Sequence, residues 1–82
     1  MTMSIALHII CPEGTIVKAD VSLVSLPGIV SPFTVLPGHA PLITALSRGS
    51  VRYVEDGEEK RVPIREGFVE VRENTVTVCV EA

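Results

Sequence analysis

Apolar and polar residues alternate with a period of two in the C-terminal half of this chain: Val69 and Val71 against Glu70 and Arg72, then Val76, Val78 and Val80 against Thr75, Thr77 and Cys79. That period predicts strands over Phe68 to Arg72 and Thr75 to Val80, joined at Glu73-Asn74, with the valine faces turned inward. Before them, Ser50 to Glu55 and Glu58 to Ile64 flank Asp56-Gly57, a pair suited to a type I′ hairpin because both central positions need positive φ. In the N-terminal half, Ser4 to Ile10 and Thr15 to Ala19 flank the Pro12-Glu13-Gly14 turn. A strand over Val21 to Leu26 follows, with Val24 and Leu26 on one side and Val21 and Leu23 on the other. Two apolar faces place it either between two layers or under a partner. Further turn signals stand at Pro27-Gly28, Pro37-Gly38, Arg48-Gly49 and Glu66-Gly67, so that turns recur every eight to ten residues. This is the spacing of a sandwich or barrel, and no helix-length segment survives between the turns.

The stretch from Leu26 to Leu46 breaks the pattern. It holds four of the six prolines, Pro27, Pro32, Pro37 and Pro41, among apolar residues. Proline fixes φ and removes a ladder donor, so rigid turns are expected here rather than an ordinary strand. Solvated turns are usually polar, yet Ile29, Val30, Phe33, Val35, Leu36, Leu42 and Ile43 crowd between these prolines. The segment either folds back onto the core or forms a surface that another protein covers.

Composition narrows the class. A chain of 82 residues has room for one small domain, in which only about 60% of the unfolded surface is buried. Apolar residues make up 46% and charged residues 21%, too hydrophobic for a disordered chain. Valine is the commonest residue, Trp is absent, and the aromatics are Phe33, Tyr53 and Phe68, so β-branched packing carries the core and an all-β fold is expected. The net charge is −3 and the seven basic residues are scattered, which offers nucleic acid no basic stripe. No apolar run approaches the roughly 20 residues of a membrane helix, and no signal peptide is visible, so a cytoplasmic protein whose membrane contact runs through a partner is expected. Cys11 and Cys79 lie near opposite ends and form no Cys-x-x-Cys pair; they read as reduced, small buried hydrophobes.

Candidate chemistry is sparse. The glycines are isolated turn residues and form no phosphate-binding loop. His8 and His39 are the only histidines, too few for an ordinary zinc site. His8 reads as a surface or hydrogen-bonded strand residue. His39 is held between Pro37-Gly38 and Ala40-Pro41, where bracing of the loop and contact with a partner both fit. Glu58-Glu59-Lys60-Arg61 reads as a solvated edge beside a hairpin turn. No active site and no cofactor are indicated.

The residues resemble the N-terminal β-sandwich domain of the epsilon subunit of the bacterial F-type ATP synthase. The likeness runs nearly end to end. It rests on Pro12-Glu13-Gly14, Leu26-Pro27-Gly28, Phe33, Val35-Leu36-Pro37-Gly38-His39-Ala40-Pro41-Leu42-Ile43-Thr44, Gly49 with Val51-Arg52, Gly67-Phe68-Val69-Glu70-Val71, and Asn74 with Val76-Thr77-Val78. The Leu-Pro-Gly-His-Ala-Pro-Leu segment is its most specific part.

The resemblance implies a flattened β-sandwich of about nine to ten short, mostly antiparallel strands over residues 1–82. It also implies a non-catalytic rotor subunit, without a cofactor, that joins the stalk subunit gamma to the membrane c-ring on the cytoplasmic side of the bacterial inner membrane. By this likeness His39, Ala40 and Ile43 contact gamma, and Gly28, Ile29, Val30, Ser31 and Pro32 approach the ring. Family members usually carry glycine where Ser31 and Thr34 stand and often an acidic residue where Pro32 stands, so a stiffer ring-facing loop is expected here. The helical hairpin that in many relatives binds ATP or inhibits hydrolysis has no room in these 82 residues, and inhibition by such an arm is not expected of them. The reading from another class is a lipoyl- or biotinyl-type swinging-arm carrier with Lys18 as the modified residue; a third is a small metal-dependent enzyme.

Overall fold

Val69, Val71, Val76, Val78 and Val80 are at most 4% exposed, so the valine faces read from the alternation do turn inward. They belong to a computed structural model that describes residues 3–81, leaving Met1, Thr2 and Ala82 of the expected 1–82 domain outside. Nine strands run in chain order: β1 (Ile5–Cys11), β2 (Gly14–Val21), β3 (Leu23–Leu26), β4 (Phe33–Val35), β5 (Leu42–Leu46), β6 (Gly49–Glu55), β7 (Glu58–Ile64), β8 (Glu66–Arg72) and β9 (Thr75–Glu81). They form a five-stranded sheet in the order β2-β1-β9-β8-β5 and a four-stranded sheet in the order β4-β3-β6-β7. The core between the sheets is wholly apolar among the described residues; it includes Ile5, Leu7 and Ile9 from one sheet and Val24, Val51 and Tyr53 from the other. The all-β sandwich expectation holds, and every pairing is antiparallel except β1 with β9, which runs parallel.

The hairpins follow their turn residues. Asp56 and Gly57 have φ of 52° and 78°, and Glu73 and Asn74 have φ of 49° and 57°, so both two-residue turns use the left-handed region that suits the twist of their strands. Pro63 lies within β7, an edge strand, where a missing ladder donor is tolerated.

Three local expectations are corrected. Val21 ends β2 rather than opening the next strand, and the chain crosses between the sheets at Ser22, whose amide donates to the Val54 carbonyl at 2.9 Å. Val21 therefore packs on the inner face of one sheet and Val24 with Leu26 on the inner face of the other, while Leu23 stands half-buried on the outer face of β3. Glu66-Gly67 is not a turn; the corner falls at Arg65 and both residues open β8. A Cβ on Gly67 would meet the Cys79 carbonyl oxygen and approach the Val80 Cα at 3.1 Å, so glycine stands here for close strand approach. Third, the proline-rich stretch does contain strands, β4 and β5, with Pro27, Pro32, Pro37 and Pro41 all lying between elements.

Candidate functional site

Leu36 to Pro41, the most specific segment of the sequence, forms the entry to β5. Its turn has Pro37 followed by Gly38 at φ 86°, and the His39 amide closes it on the Leu36 carbonyl at 3.1 Å. Proline presets the first central position and only glycine takes the second without strain, which explains the Pro-Gly pair. Asn74, in the left-handed turn between β8 and β9, accepts the Gly38 amide on Oδ1 at 2.7 Å and ties the loop to the five-stranded sheet. His39 donates from Nδ1 to the Ala40 carbonyl at 2.7 Å, which holds the ring against its own loop. Ala40 is exposed.

The Asn74 tether is testable. Glycine keeps the positive φ of the turn but deletes the side chain, so Asn74→Gly removes one hydrogen bond, a loss of about 1 kcal/mol. The Gly38 amide is expected to exchange several-fold faster with deuterium, while β8 and β9 amides keep their protection. Unchanged Gly38 exchange would show that the tether does not hold the loop.

Ile43 lies further along β5, on the outer face of the sheet, 72% exposed and in register with Glu70 of β8. Three residues of extended chain put it roughly 10 Å from Ala40. The three positions assigned to one partner therefore span a strip rather than a point.

Residues 28–32 run along the free edge of β5. Gly28 bridges to Leu46, the Ile29 amide donates to the Ala45 carbonyl at 3.0 Å, and the Ser47 amide donates to the Pro27 carbonyl at 2.8 Å. These bonds pin the base of the loop and leave its tip outward, with Ile29 63% and Val30 92% exposed. Val30, Ser31, Leu42 and Ile43 line one groove of 270 Å³, so the loop assigned to the ring and a residue assigned to gamma are immediate neighbours. Gly28 itself is buried; a Cβ there would stand 2.5 Å from the Ser31 carbonyl oxygen and 3.0 Å from the Phe33 ring. Gly28→Ala is expected to displace the 28–32 loop at a cost of about 1–3 kcal/mol. Amide shift changes should be confined to residues 27–33 and the adjoining end of β5, and a spectrum unchanged in that loop would contradict this packing.

Sequence reasoning missed a larger apolar surface beside this groove. Pairing places Ala45, Phe68, Cys79 and Ile10 side by side across β5, β8, β9 and β1, all on the outer face. With Ile29 and Cys11 they line a cleft of 610 Å³, and Phe68 is 52% exposed. The signal was in the alternation: if Val69 and Val71 face inward, Phe68 faces outward. Cys11 and Cys79 are free thiols that are only half-buried, contrary to the expectation of buried cysteines, because both open onto this cleft. His8 is half-buried on the same sheet face. Lys18, the residue a carrier domain would modify, lies inside β2 opposite His8 and away from any hairpin tip.

Comparison with known proteins gives a consistent assignment. Residues 4–82 match the family described as ATP synthase, Delta/Epsilon chain, beta-sandwich domain. The ATP synthase epsilon chain of Lawsonia intracellularis is 45% identical over 82 residues, spanning 100% of this chain and 62% of that protein. The epsilon chain of Bacillus subtilis is 35% identical over 79 residues, spanning 96% and 60%. The chain thus spans about three fifths of the length of these relatives. A chain in the Euglena gracilis mitochondrial ATP synthase structure, OSCP/F1/c-ring in rotational state 1, superposes with a TM-score of 0.89 at 19% identity, over 98% of this chain and 52% of that one. A second, from the central stalk and c-ring of the Tetrahymena thermophila mitochondrial enzyme, gives 0.80 at 16% identity, over 100% and 65%. At such identities the superpositions establish the fold.

Proposed function

The chain belongs to the ATP synthase delta/epsilon chain β-sandwich family, and we propose that it serves as a non-catalytic rotor subunit in the central stalk of an F-type ATP synthase. In this role it turns with gamma, joins gamma to the c-ring, and couples proton or sodium ion flow through the ring to ATP synthesis or hydrolysis. It carries out no bond chemistry of its own. It sits on the cytoplasmic side of the bacterial inner membrane as a peripheral protein held by the complex. No helix among the described residues is long and apolar enough to cross a membrane.

One observation beyond family membership carries the docking role: Ile29, Ile43 and Phe68, at 63%, 72% and 52% exposure, share one continuous surface over β5 and β8. Exposed apolar area of this kind marks a surface that a partner covers. Its backbone is already fixed by proline turns and by hydrogen bonds to β5 and Asn74, so little conformational entropy remains to be lost on docking. Gamma takes the strip of His39, Ala40 and Ile43 with the adjoining Phe68 cleft. The ring takes the tip formed by Gly28, Ile29, Val30, Ser31 and Pro32.

Co-expression with gamma from the same organism, followed by pull-down and calorimetry, tests the reading. A one-to-one complex is expected. Two soluble, folded proteins that do not associate would overturn it.

A further inference from the structure

The outer face of the four-stranded sheet, on the opposite side of the sandwich from the apolar strip, has a different chemistry. Register places Thr34 beside Ser25, Ser25 beside Arg52, and Arg52 beside Arg61, one row across all four strands. Strand alternation turns this row outward, because Val24, Val35, Val51 and Ile64 of the same strands are buried. Ser25 Oγ and Thr34 Oγ1 are 3.2 Å apart and hydrogen-bonded to each other. Ser50, Pro32 and Phe33 join these residues in lining a groove of 380 Å³.

Two arginines directly opposite on adjacent strands repel one another, since their Cβ atoms stand about 5 Å apart. Counter-charge is thin. Arg52 reaches only Glu59, at 3.9 Å and with both side chains at least half exposed, and Arg61 has no acidic partner within 4.0 Å among the described residues. Lys60, the intervening residue of β7, is paired with Glu55 at 2.9 Å and reaches Glu58 at 3.9 Å, so of the glutamates of this hairpin only Glu59 comes within 4.0 Å of the arginine pair. In a chain of net charge −3, an adjacent pair of arginines with so little compensation is a local exception.

We propose that this row binds a phosphate group, held between the guanidinium forks of Arg52 and Arg61 with the hydroxyls of Ser25 and Ser50 beside it. Each guanidinium presents planar paired donors that match two oxygens of a tetrahedral oxyanion, and one anion between them converts the repulsion into two charge-assisted contacts. The hydroxyls donate to whichever oxygens remain. The ligand is a phosphate-bearing molecule, either free in solution or the headgroup of an anionic lipid. The inference does not rest on the docking reading above, which uses the outer face of the other sheet; Pro32, at the rim of this groove, is the one residue the two have in common.

The test is an amide and guanidinium chemical-shift titration of the chain with inorganic phosphate, matched in ionic strength by chloride, alongside co-sedimentation with phosphatidylglycerol and with phosphatidylcholine vesicles. A soluble source is expected to give saturable phosphate shifts at Ser25, Arg52 and Arg61 that chloride does not reproduce. A lipid source gives sedimentation with phosphatidylglycerol vesicles alone. In either case Arg61→Gln, an exposed substitution that leaves the fold intact, should weaken the interaction about tenfold, the loss of one charge-assisted contact. Arg52→Gln should do the same. The proposal is overturned if phosphate gives no shifts beyond those of chloride and anionic vesicles do not sediment the chain either, or if both variants bind as the parent does.

Discussion

Val78→Asp is expected to leave the chain unfolded. Val78 is fully buried at the centre of β9, in register with Ile9 of β1 on one side and Val69 of β8 on the other, both also fully buried. Among the described residues no charged side chain is buried, and the one hydroxyl in the core, that of Tyr53, belongs to the other sheet, so a carboxylate at this position has no cation to pair with. It must either shed its water unpaired or take up a proton, and either route costs several kcal/mol. The whole stability of a native domain is about 5–15 kcal/mol, and a domain this small lies near the lower end. Val78→Thr, which keeps the β-branched shape and places only a hydroxyl in the core, should cost about 1–3 kcal/mol and remain folded with a lower melting temperature. Circular dichroism and thermal unfolding of the two variants make the comparison. A Val78→Asp chain that melts cooperatively near the parent temperature would mean that the inward face of β9 has been assigned backwards.

That face was legible because strand alternation is local: six residues suffice to reveal which side of β9 is apolar. The two-residue turns were legible for the same reason, since Asp56, Gly57 and Asn74 are residue types that tolerate the left-handed region these turns use. Features that arise from strands meeting across long sequence distances were not. The parallel pairing of β1 with β9 joins the two ends of the chain, and only that pairing sets Ile10 beside Cys79 and makes the Phe68 cleft. Val21 was misplaced because its apolar character shows that it is buried without saying in which sheet. Gly67 looked like a turn signal because glycine serves both turns and close backbone approach, and the carbonyl that excludes a side chain there belongs to Cys79, twelve residues away. In the candidate site, the resemblance supplied His39, Ala40, Ile43 and the 28–32 loop. The Asn74 tether that holds that loop comes from 36 residues further along and has no local signature.

Ile43→Lys is expected to separate binding from folding. Ile43 is 72% exposed, so lysine in its place loses little burial, and Glu70 directly across on β8 gives the new ammonium an opposite charge to face. The melting temperature should stay within a few degrees of the parent. At a docked interface the same ammonium would be desolvated against apolar contacts, a penalty of about 2–3 kcal/mol, or roughly thirty- to a hundred-and-fifty-fold in affinity for gamma. Ala40→Asp, at the other end of the strip, should weaken the same partner. Val30→Lys completes the argument, because Val30 and Ile43 line one groove yet are assigned to different partners. If the boundary between gamma and the ring runs between them, Val30→Lys leaves gamma affinity intact and weakens only the attachment of the stalk to the ring. If Val30→Lys weakens gamma as strongly as Ile43→Lys does, the groove belongs to gamma as a whole and the ring contact moves out to Ser31 and Pro32. If Ile43→Lys binds gamma with parental affinity, the strip is excluded from that interface and the Phe68 cleft, tested by Phe68→Ala, becomes the docking surface by itself.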